Sequence, residues 1–514
     1  MICKTTLVNK AESRFSISIP VDANTTEQAV AQILQDVIFK MTFYRMSIAL
    51  RSLPATAFQI IIGRSSLLEP TDLEGLNEDG IIIKKAQNSI IISSGSGTSI
   101  GGFNPMGLYY SMYVFIEEYL GCQAYTPTDY DIPIKTKICI PSLIYRKQNP
   151  SFDYRMTFYP NLLQGQASYT FSDWRRMNYF MEGWGLWVHS FDTLVPPSLF
   201  ATNPEYFALI NGQRNPASLD VTNPTVIEIA RTKLTSLIAA NPTAKFWSVS
   251  QNDTPTNQEF CQCENCKLIN DAQESPMGAL LTFVNNIASS FPTKTITTLA
   301  YGYSEVAPKT LRPRNNVMVM YCATGQNIIS SLKAQGSDHF KTNLKKWGNL
   351  TDDLFVWDYI VNFDNLLLPI PNLKNLQSNL KYLKDNNVKN IFLQGPGDKE
   401  GELQELKGYI VAKLMWDVNT NVETATNNFL KYYYGKNNAP YIKKYIDLLH
   451  KKGVASDPVY STGVPTPEYL NEKSVIAYDK VFANIEIVPE DLYYQRAEKV
   501  VNTITNLETI NPAI

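Results

Sequence analysis

Short apolar segments alternate with helical segments over residues 150–430, and this alternation constrains the fold more than any other feature of the chain. The apolar runs are, in order, YRMTFYP, LWVHSF, KFWSVSQND, TITTLAYGY, NVMVMYC, LFVWDY and NIFLQG. Helical segments such as NPTVIEIARTKLTSLIAANP lie between them. Strands this apolar are typical of a parallel sheet with helices on both faces. About 280 residues of such units suffice for a TIM-like (β/α)8 barrel, and a doubly wound open sheet is the alternative.

The residues on either side of this region have other patterns. Residues 1–147 are predicted to form a small α/β domain, because DGIIIKKAQNSIIISSG has the pattern of a hairpin and GLYYSMYVFIEEYLGC that of a helix ended by Gly121. Residues 148–425 are the predicted barrel. Residues 426–514 have apolar positions at helical spacing, which predicts a helical region packed on the barrel.

Charge and hydropathy exclude two classes of partner. The 46 basic and 48 acidic residues are interspersed and give a net charge of −2, so no basic face is expected for nucleic acid. No run of 18 apolar residues is present, so no membrane-spanning segment is expected. The first residues also lack the apolar core of a signal peptide. The protein is therefore either cytosolic or an exported protein whose signal has been removed.

Polar side chains follow the predicted strands, at the end of a barrel where functional groups lie. They are carboxylates, amides and aromatic residues, whereas the chain has only three histidines. No serine nucleophile motif and no histidine cluster with metal-ligand spacing is present, so Ser–His–Asp and metal-dependent hydrolysis are disfavoured. Glycoside hydrolysis suits this set better, because it needs two carboxyl groups across the scissile bond or one that orients a substrate acetamido group.

Three carboxylates are the predicted catalytic residues. Glu402 or Asp358 is expected to protonate the leaving oxygen, while Asp253 orients an acetamido group or acts as the second carboxylate. Each has a structural alternative: Asp253 could cap a turn, Asp358 could form a salt bridge, and Glu402 could stabilise a helix N-terminus. Predicted substrate-binding residues are His189, Asn252, Trp184, Trp187, Tyr303, Tyr359 and Arg176.

The sequence CQCENC places three thiols within six residues, at Cys261, Cys263 and Cys266. A structural zinc site usually has four ligands, and no second pair of cysteines follows at a matching spacing. Zinc would therefore need a ligand from a distant part of the chain. A local disulfide or packed free thiols that shape the loop after Asp253 are preferred, and neither a metal nor another cofactor is predicted.

Several segments resemble the family called domain of unknown function 4838. They include WGLWVHSFDTLVPPSLFATNPEYFALINGQR, TLAYGYSEVAPKTLRP and GELQELKGYIVAKLMWD, and the resemblance covers about residues 150–430. The family is common in gut and soil bacteria that degrade glycans, and part of it is classified as glycoside hydrolase family 163, endo-β-N-acetylglucosaminidases that act on complex N-glycans. The resemblance implies a TIM-like barrel, a glycan or glycoprotein substrate, and a periplasmic or cell-surface location. It adds weight to Asp253, Asp358 and Glu402.

One position departs from the family pattern. Many members have the strand-end motif FEQG, whereas this chain has FLQG, with Leu393 in place of the acidic residue. If that glutamate is catalytic in the family, this chain either uses Glu400 or Glu402 instead or has lost catalysis. A β-linked N-acetylhexosamine is the expected substrate, and a glycan-binding barrel without catalysis is the alternative.

Overall fold

A computed structural model of the protein describes residues 5–50, 57–95, 106–162, 169–178, 183–334, 337–456, 458–462, 468–485 and 491–505. The chain divides into two compact units. The first comprises Met1–Asp153 with Asn161–Asn178, and the second comprises Tyr154–Pro160 with Tyr179–Ile514. The domain boundaries predicted at 147 and 425 remain predictions. None of the described helices is long and apolar enough to cross a membrane.

The first unit is an α/β structure around a mixed sheet. Its strands are β1 (Thr5–Asn9), β2 (Ser16–Ile19), β3 (Ile48–Leu50), β4 (Gln59–Ile62), β5 (Ile81–Ala86), β6 (Ser89–Ser94), β7 (Gln123–Ala124), β8 (Tyr130–Asp131), β9 (Lys137–Ile140) and β10 (Tyr145–Gln148). Its helices are α1 (Thr25–Thr42), α2 (Pro70–Leu73), α3 (Gly107–Phe115) and α4 (Tyr169–Trp174). The main sheet has the order β10-β5-β6-β4-β2-β3.

Two predicted elements of this unit are confirmed. Strands β5 and β6 pair antiparallel with Ile83 opposite Ile92, and their isoleucines are buried. Helix α3 continues as a π-helical turn over Ile116–Leu120 and ends at Gly121, which has φ +81°. Glycine adopts this left-handed conformation at no steric cost, which explains why the helix ends there.

The second unit contains a parallel sheet and most of the helices. Its strands are β11 (Tyr154–Thr157), β12 (Trp184–Leu186), β13 (Phe207–Ile210), β14 (Gln213–Leu219), β15 (Phe246–Ser248), β16 (Thr295–Ala300), β17 (Val317–Cys322), β18 (Leu354–Tyr359) and β19 (Val388–Gln394). Its helices are α5 (Phe191–Leu194), α6 (Pro224–Ala240), α7 (Glu264–Gln273), α8 (Met277–Ala288), α9 (Asp338–Leu350), α10 (Leu376–Asp385), α11 (Gln404–Trp416), α12 (Val422–Tyr433), α13 (Gly435–Gly453), α14 (Glu472–Phe482) and α15 (Leu492–Thr505).

The parallel sheet predicted from the apolar runs is confirmed, with the order β11-β19-β18-β17-β16-β15-β12. The sheet is curled, because the Tyr154 ring of β11 lies 5.7 Å from Phe246 of β15, five strands away along the ladder. This sheet contains seven described strands, all parallel, and its end strands β11 and β12 share no backbone ladder. Trp184 Nε1 instead donates a hydrogen bond to the Tyr154 hydroxyl at 2.9 Å. The described sheet is thus a curled half-barrel rather than the closed eight-stranded barrel of the prediction.

Candidate functional site

The residues that follow β12, β15 and β16 lie at one end of the curled sheet, together with the last residues of β18. Parallel strands place all their carboxyl ends at the same edge, which is why these segments meet. Ring contacts join Trp187, Trp357 and Tyr359 into one group. A ring contact and a hydrogen bond join His189, Tyr301 and Asp253 into a second group. We call the following residues the mouth cluster: Trp187, His189, Asp253, Tyr301, Trp357 and Tyr359.

Asp253 is the exposed carboxylate of the mouth cluster. It accepts a hydrogen bond from the Tyr301 hydroxyl at 3.2 Å, and Asn257 Nδ2 donates to the same hydroxyl at 2.9 Å. Burial, followed by the negative charge of Asp253, raises the pKa of Tyr301 to about 12. Tyr301 therefore stays protonated at neutral pH and keeps one oxygen of Asp253 in place, while the carboxylate remains accessible to a ligand.

His189 and Asn252 are held by the backbone and by a neighbouring side chain. His189 Nδ1 lies 2.9 Å from the Gln251 carbonyl oxygen, and its ring is 6.0 Å from that of Tyr301. Its backbone has φ +46°, an unusual conformation for a residue with a side chain. Asn252 Nδ2 donates to Asp192 Oδ1 at 2.8 Å, which leaves its carbonyl oxygen as the group that can accept from a ligand.

Aromatic rings form the wall beside these polar groups. Trp187 lies 5.9 Å from Trp357, and Trp357 stacks with Tyr359 at 6.1 Å. Trp357 Nε1 donates to Gln394 Oε1 at 2.7 Å, so both the ring and an amide of the next strand are fixed. Trp187 is half-buried, whereas Trp357 and Tyr359 are each 9% exposed. Rings with a fixed orientation can stack on the C–H face of a sugar where their faces are accessible.

Of the two other predicted aromatic residues, Trp184 supports this wall from the core, since its ring lies edge-on to that of Trp187 at 4.4 Å, and Tyr303 lies elsewhere. Trp184 is 7% exposed and stacks on Phe246 at 4.9 Å inside the sheet, where it fills the core. Tyr303 packs against Phe260 at 5.2 Å, beside the loop that carries the three clustered cysteines. The structure therefore brings Trp187 and Tyr359 into the mouth cluster but not Trp184.

Asp358 is buried on the other face of β18. Phe355 of the same strand contacts Tyr154 inside the curled sheet, so alternation turns Trp357 and Tyr359 inward and Asp358 outward. The Gln326 side-chain amide donates a hydrogen bond to Asp358. Burial raises the pKa of Asp358 from 3.8 to about 7, although this hydrogen bond opposes the shift.

Glu402 lies in a third environment. Its carboxylate forms an ion pair with Lys407 Nζ at 2.6 Å, and both side chains are 4% exposed. Burial raises the pKa of Glu402, and the charge of Lys407 counteracts the shift. The pocket next to it is lined by Tyr434 and Tyr445 of the helical region and by Arg496 of α15. The structural alternative for Glu402, an interaction with a helix N-terminus, is replaced by a buried charge pair, and its catalytic role stays a prediction.

Arg176 belongs to the first unit, whereas the other candidates belong to the second. Its guanidinium contacts the carboxylate of Glu117, as does that of Arg175. Trp174 Nε1 donates to the same carboxylate at 3.0 Å. The sequence left open whether these arginines are structural or bind substrate, and the structure places both in an ion-pair network around Glu117.

Two mouth residues escaped the sequence analysis. Tyr301 is the first residue after β16, so the strand-end rule that selected Tyr303 also applied to it. Trp357 lies two residues before Tyr359, and strand alternation puts both on one face. In each case the signal was present in the sequence.

Comparisons with known proteins identify the family. None of the proteins with a curated description matches this sequence. The family described as "Domain of unknown function (DUF4838)" matches residues 124–447. The chain belongs to the DUF4838 family.

Solved structures similar to this DUF4838 protein are glycoside hydrolases. The family 89 glycoside hydrolase from Clostridium perfringens, solved with its substrate GlcNAc-α-1,4-galactose, has a TM-score of 0.51 and 9% identity, over 95% of this chain and 62% of that one. The family 89 enzyme from the same organism with PUGNAc gives 0.51 and 10%, over 95% and 63%. A family 20 exo-β-N-acetylglucosaminidase from Vibrio harveyi gives 0.44 and 11%, over 90% and 76%.

The likeness to the family 89 structures shows that the DUF4838 protein has a glycoside hydrolase fold. The chain spans less than two thirds of the length of those structures. At about one identical residue in ten, the comparison concerns the fold alone.

Proposed function

We propose that this protein binds glycans that contain N-acetylhexosamine and hydrolyses a glycosidic bond next to that sugar. The observation that carries the proposal is the exposed carboxylate of Asp253, held by Tyr301 at the end of a parallel sheet where aromatic rings form a wall. The glycoside hydrolase fold supports it. The family 89 structure was solved with an N-acetylglucosaminide, which agrees with this class of sugar.

The proposed chemistry assigns Asp253 to the acetamido group of the substrate. Its carboxylate accepts a hydrogen bond from the acetamido N–H, which orients the carbonyl oxygen toward the anomeric carbon. That oxygen attacks as the glycosidic bond breaks, and an acid donates a proton to the leaving oxygen. Water then opens the cyclic intermediate and restores the sugar. Trp187 and Tyr359 stack on the sugar rings, and His189 and Asn252 bind hydroxyl groups.

Of the two predicted acids, Asp358 has a pKa of about 7, which keeps it partly protonated at neutral pH. Its side chain points away from Trp357 and Tyr359, however. Glu402 is the weaker candidate, since Lys407 already neutralises it.

Two finer assignments belong to this proposal. The curled sheet is proposed to be a variant of the (β/α)8 barrel, on the support of its strand order and of the family 89 fold. We also propose a relationship to the endo-β-N-acetylglucosaminidases of glycoside hydrolase family 163, as the sequence resemblance implies. The sequence favours a β-linked substrate, whereas the family 89 structure contains an α-linked one. Both linkages therefore belong in the test.

A second candidate function is glycan binding without cleavage. Two observations favour it. Asp253, Asp358 and Glu402 occupy three different environments rather than facing one another across a cleft. Leu393, at the position of an acidic residue in the family motif, is fully buried in β19.

The deciding experiment incubates the protein with complex and high-mannose N-glycoproteins and with α- and β-linked N-acetylglucosaminides. Mass spectrometry detects released glycans, and calorimetry measures binding. The variants are Asp253→Asn, Asp358→Asn and Glu402→Gln, with Asp271→Asn as control, because Asp271 is exposed on α7 and pairs with Lys267. We expect release by the wild type and the control, and a loss of about 10²–10⁴-fold in Asp253→Asn.

Each other outcome has a definite meaning. Near-normal release by both Asp253→Asn and Asp358→Asn would contradict the proposed site. Binding that depends on Asp253, with no release of any glycan, would establish the second function. If the protein neither binds nor releases any glycan of the panel, both functions are contradicted.

We also propose that the protein works outside the cytoplasm, in the periplasm or at the cell surface. Cys139 forms a disulfide bond, and disulfides persist in oxidising compartments. Fractionation of cells that produce the protein naturally tests this location. Recovery in the cytoplasmic fraction, with Cys139 reduced, would contradict it.

A further inference from the structure

Three cysteines and one aspartate meet beside the loop that follows the mouth residue Asp253. Cys261 lies in this loop, Cys263 caps the N-terminus of α7, and Cys266 is in the first turn of that helix. Asp220 follows β14, 43 residues before Cys263. One potential ligand atom from each of the four side chains lies within 4.8 Å of the others. The segment CQCENC contains only three potential ligands, and the fold supplies Asp220 as the fourth.

Two sulfur–oxygen distances in this group match the edges of a metal-centred tetrahedron. Asp220 Oδ1 lies 3.5 Å from Cys263 Sγ and 3.6 Å from Cys266 Sγ. Zinc bound tetrahedrally at about 2.3 Å from sulfur and 2.0 Å from oxygen requires sulfur–oxygen edges of about 3.5 Å. A single hydrogen bond between a thiol and a carboxylate has a similar length. Here, however, two thiols contact the same carboxylate oxygen and a third thiol lies next to them, which is the arrangement of a set of metal ligands.

The surroundings of the four groups are those of a structural metal site. Asp220, Cys261 and Cys266 are at most 5% exposed. The Leu209 backbone N–H donates to Cys261 Sγ at 3.4 Å, and the Thr222 hydroxyl lies 3.4 Å from Cys266 Sγ. Hydrogen bonds of this kind to metal-binding side chains orient these side chains and partly offset the negative charge of the thiolates.

Charge balance also favours a divalent cation at this point. Zinc binding would release the three thiol protons, and the cation would offset the charges of the thiolates and the carboxylate that are then buried. Arg214 Nη1 donates to Asp220 Oδ2 at 3.0 Å and offsets one charge, while Oδ1, which faces the thiols, also accepts from the Thr222 backbone N–H at 3.2 Å and from its hydroxyl at 2.8 Å. Arg214 also donates to the Phe207 carbonyl at 2.6 Å, so it is fixed in place.

We propose that Asp220, Cys261, Cys263 and Cys266 bind one structural zinc ion. Sulfur-rich tetrahedral ligand sets select zinc among the common divalent cations. With all four positions filled by protein, no site is left for a catalytic water. The site does not depend on the proposed glycan chemistry.

The zinc ion would join two separate segments of the second unit. Asp220 follows the β13–β14 hairpin, and the cysteines belong to the end of the loop between β15 and α7 and to the first turn of α7. Gln262 N already donates to the Leu209 carbonyl at 2.7 Å across the same junction. Because Asn252 and Asp253 lie in the same loop, the zinc would fix the segment from which the mouth carboxylate projects.

The competing arrangement is a disulfide between two of these cysteines. All three thiols are free in the structure, which does contain a disulfide at Cys139. Oxidation of one pair would remove two ligands and exclude zinc. The two arrangements therefore differ in metal content and in the chemical state of the thiols.

The test uses the full chain, produced with zinc in the medium and purified without chelator. Metal content is measured by inductively coupled plasma mass spectrometry, and thiols are alkylated without reduction and mapped. We expect about one zinc per chain and thiols that are protected until a chelator is added. Exchange of zinc for cobalt should give the thiolate charge-transfer and tetrahedral d–d bands. Substoichiometric metal with a disulfide among the three cysteines would overturn the proposal.

Variants locate the site. Asp220→Asn and Cys263→Ser should lose at least about tenfold in zinc affinity, as loss of a ligand or its support typically does. Cys122→Ala and Asp271→Asn are controls, since Cys122 is a buried thiol of the first unit and Asp271 an exposed carboxylate of α7. Wild-type affinity in both ligand variants would overturn the proposal.

If the ligand variants do not fold, hydrogen exchange of the wild-type protein tests whether zinc stabilises the two segments that it is proposed to join. Zinc removal by a chelator should speed amide exchange in 207–219 and 253–266 and leave the β5–β6 hairpin of the first unit unchanged. No change in either segment on metal removal would contradict the structural role.

Discussion

Asp358 and Trp357 are neighbours in sequence, yet they lie on opposite faces of β18. Trp357 faces the inside of the curled sheet, and Asp358 is 3% exposed on the outside, where Gln326 is its partner. No cationic side chain among the described residues pairs with Asp358, so burial disfavours its ionised form, and the acid form is retained to about pH 7. A residue's chemistry therefore depends on which face it occupies as much as on its type.

This shift predicts a pH dependence of stability. Folding raises the pKa of Asp358 from 3.8 to about 7, so the native state binds the proton more tightly than the unfolded state. The contribution is fully present below pH 3.8 and is lost as the pH rises through about 7. Relative to Asp358→Asn, the wild type should lose up to about 1.4 kcal/mol of unfolding free energy per pH unit in this window.

Urea unfolding of both proteins, followed by tryptophan fluorescence at several pH values between about 4 and 8, measures the difference. Parallel stability curves for the two proteins would show that Asp358 does not titrate in this range. The control is Asp271→Asn, whose carboxylate is exposed and whose curve should follow that of the wild type.

At the level of elements, β12 is the strand that delivers the first mouth residues, and its position depends on a glycine. Gly185 lies against the ring of Trp247 in β15, and a Cβ atom there would be 2.2 Å from that ring. The pairing of β12 with β15 also shifts register between Trp184 and Leu186. The close approach of backbone and indole explains why glycine occupies this strand.

Gly185→Ala should therefore destabilise the second unit by about 1–3 kcal/mol, because the indole of Trp247 is fully buried and cannot move away freely. The matched control is Gly325→Ala, where a Cβ atom meets nothing within 4 Å. Its effect should stay within about 0.5 kcal/mol. Thermal unfolding measures both, and equal destabilisation in the two variants would contradict the packing explanation.

The sequence pattern predicted the strands and helices well where neighbouring residues in the chain determine the secondary structure. The apolar runs correspond to strands of the parallel sheet, and the two isoleucine runs pair as β5 and β6. The prediction failed to anticipate the β13–β14 hairpin, whose strand Gln213–Leu219 is polar and mostly accessible. Edge hairpins of this kind are stabilised by tertiary contacts and leave little hydrophobic pattern.

At the scale of the whole molecule, the chain alternates between its two units. Tyr154–Pro160 belongs to the second unit, Asn161–Asn178 returns to the first, and the chain then continues in the second. The return is needed inside the first unit, because Trp174, Arg175 and Arg176 satisfy the buried carboxylate of Glu117. The Tyr110 hydroxyl also donates to the Met177 carbonyl at 2.8 Å.

This organisation predicts where the first unit can be cut. A fragment of residues 1–178 should unfold cooperatively, whereas a fragment of residues 1–147, which ends at the boundary predicted from sequence, should not. The shorter fragment leaves Glu117 buried without its cationic partners, which typically costs about 3–5 kcal/mol. Circular dichroism during thermal unfolding compares the two. Equal cooperativity and equal midpoints would contradict the role of Asn161–Asn178.

The sequence by itself determined the strands, the helices around them and the strand-end residues, because periodicity and strand ends are local properties of the chain. It also placed Cys261, Cys263 and Cys266 together. Only the tertiary structure decided that Asp220 joins them, that Asp358 is buried against Gln326, and that Glu402 pairs with Lys407. These relations depend on how distant segments pack and on which strand face is buried, so spacing along the chain does not encode them.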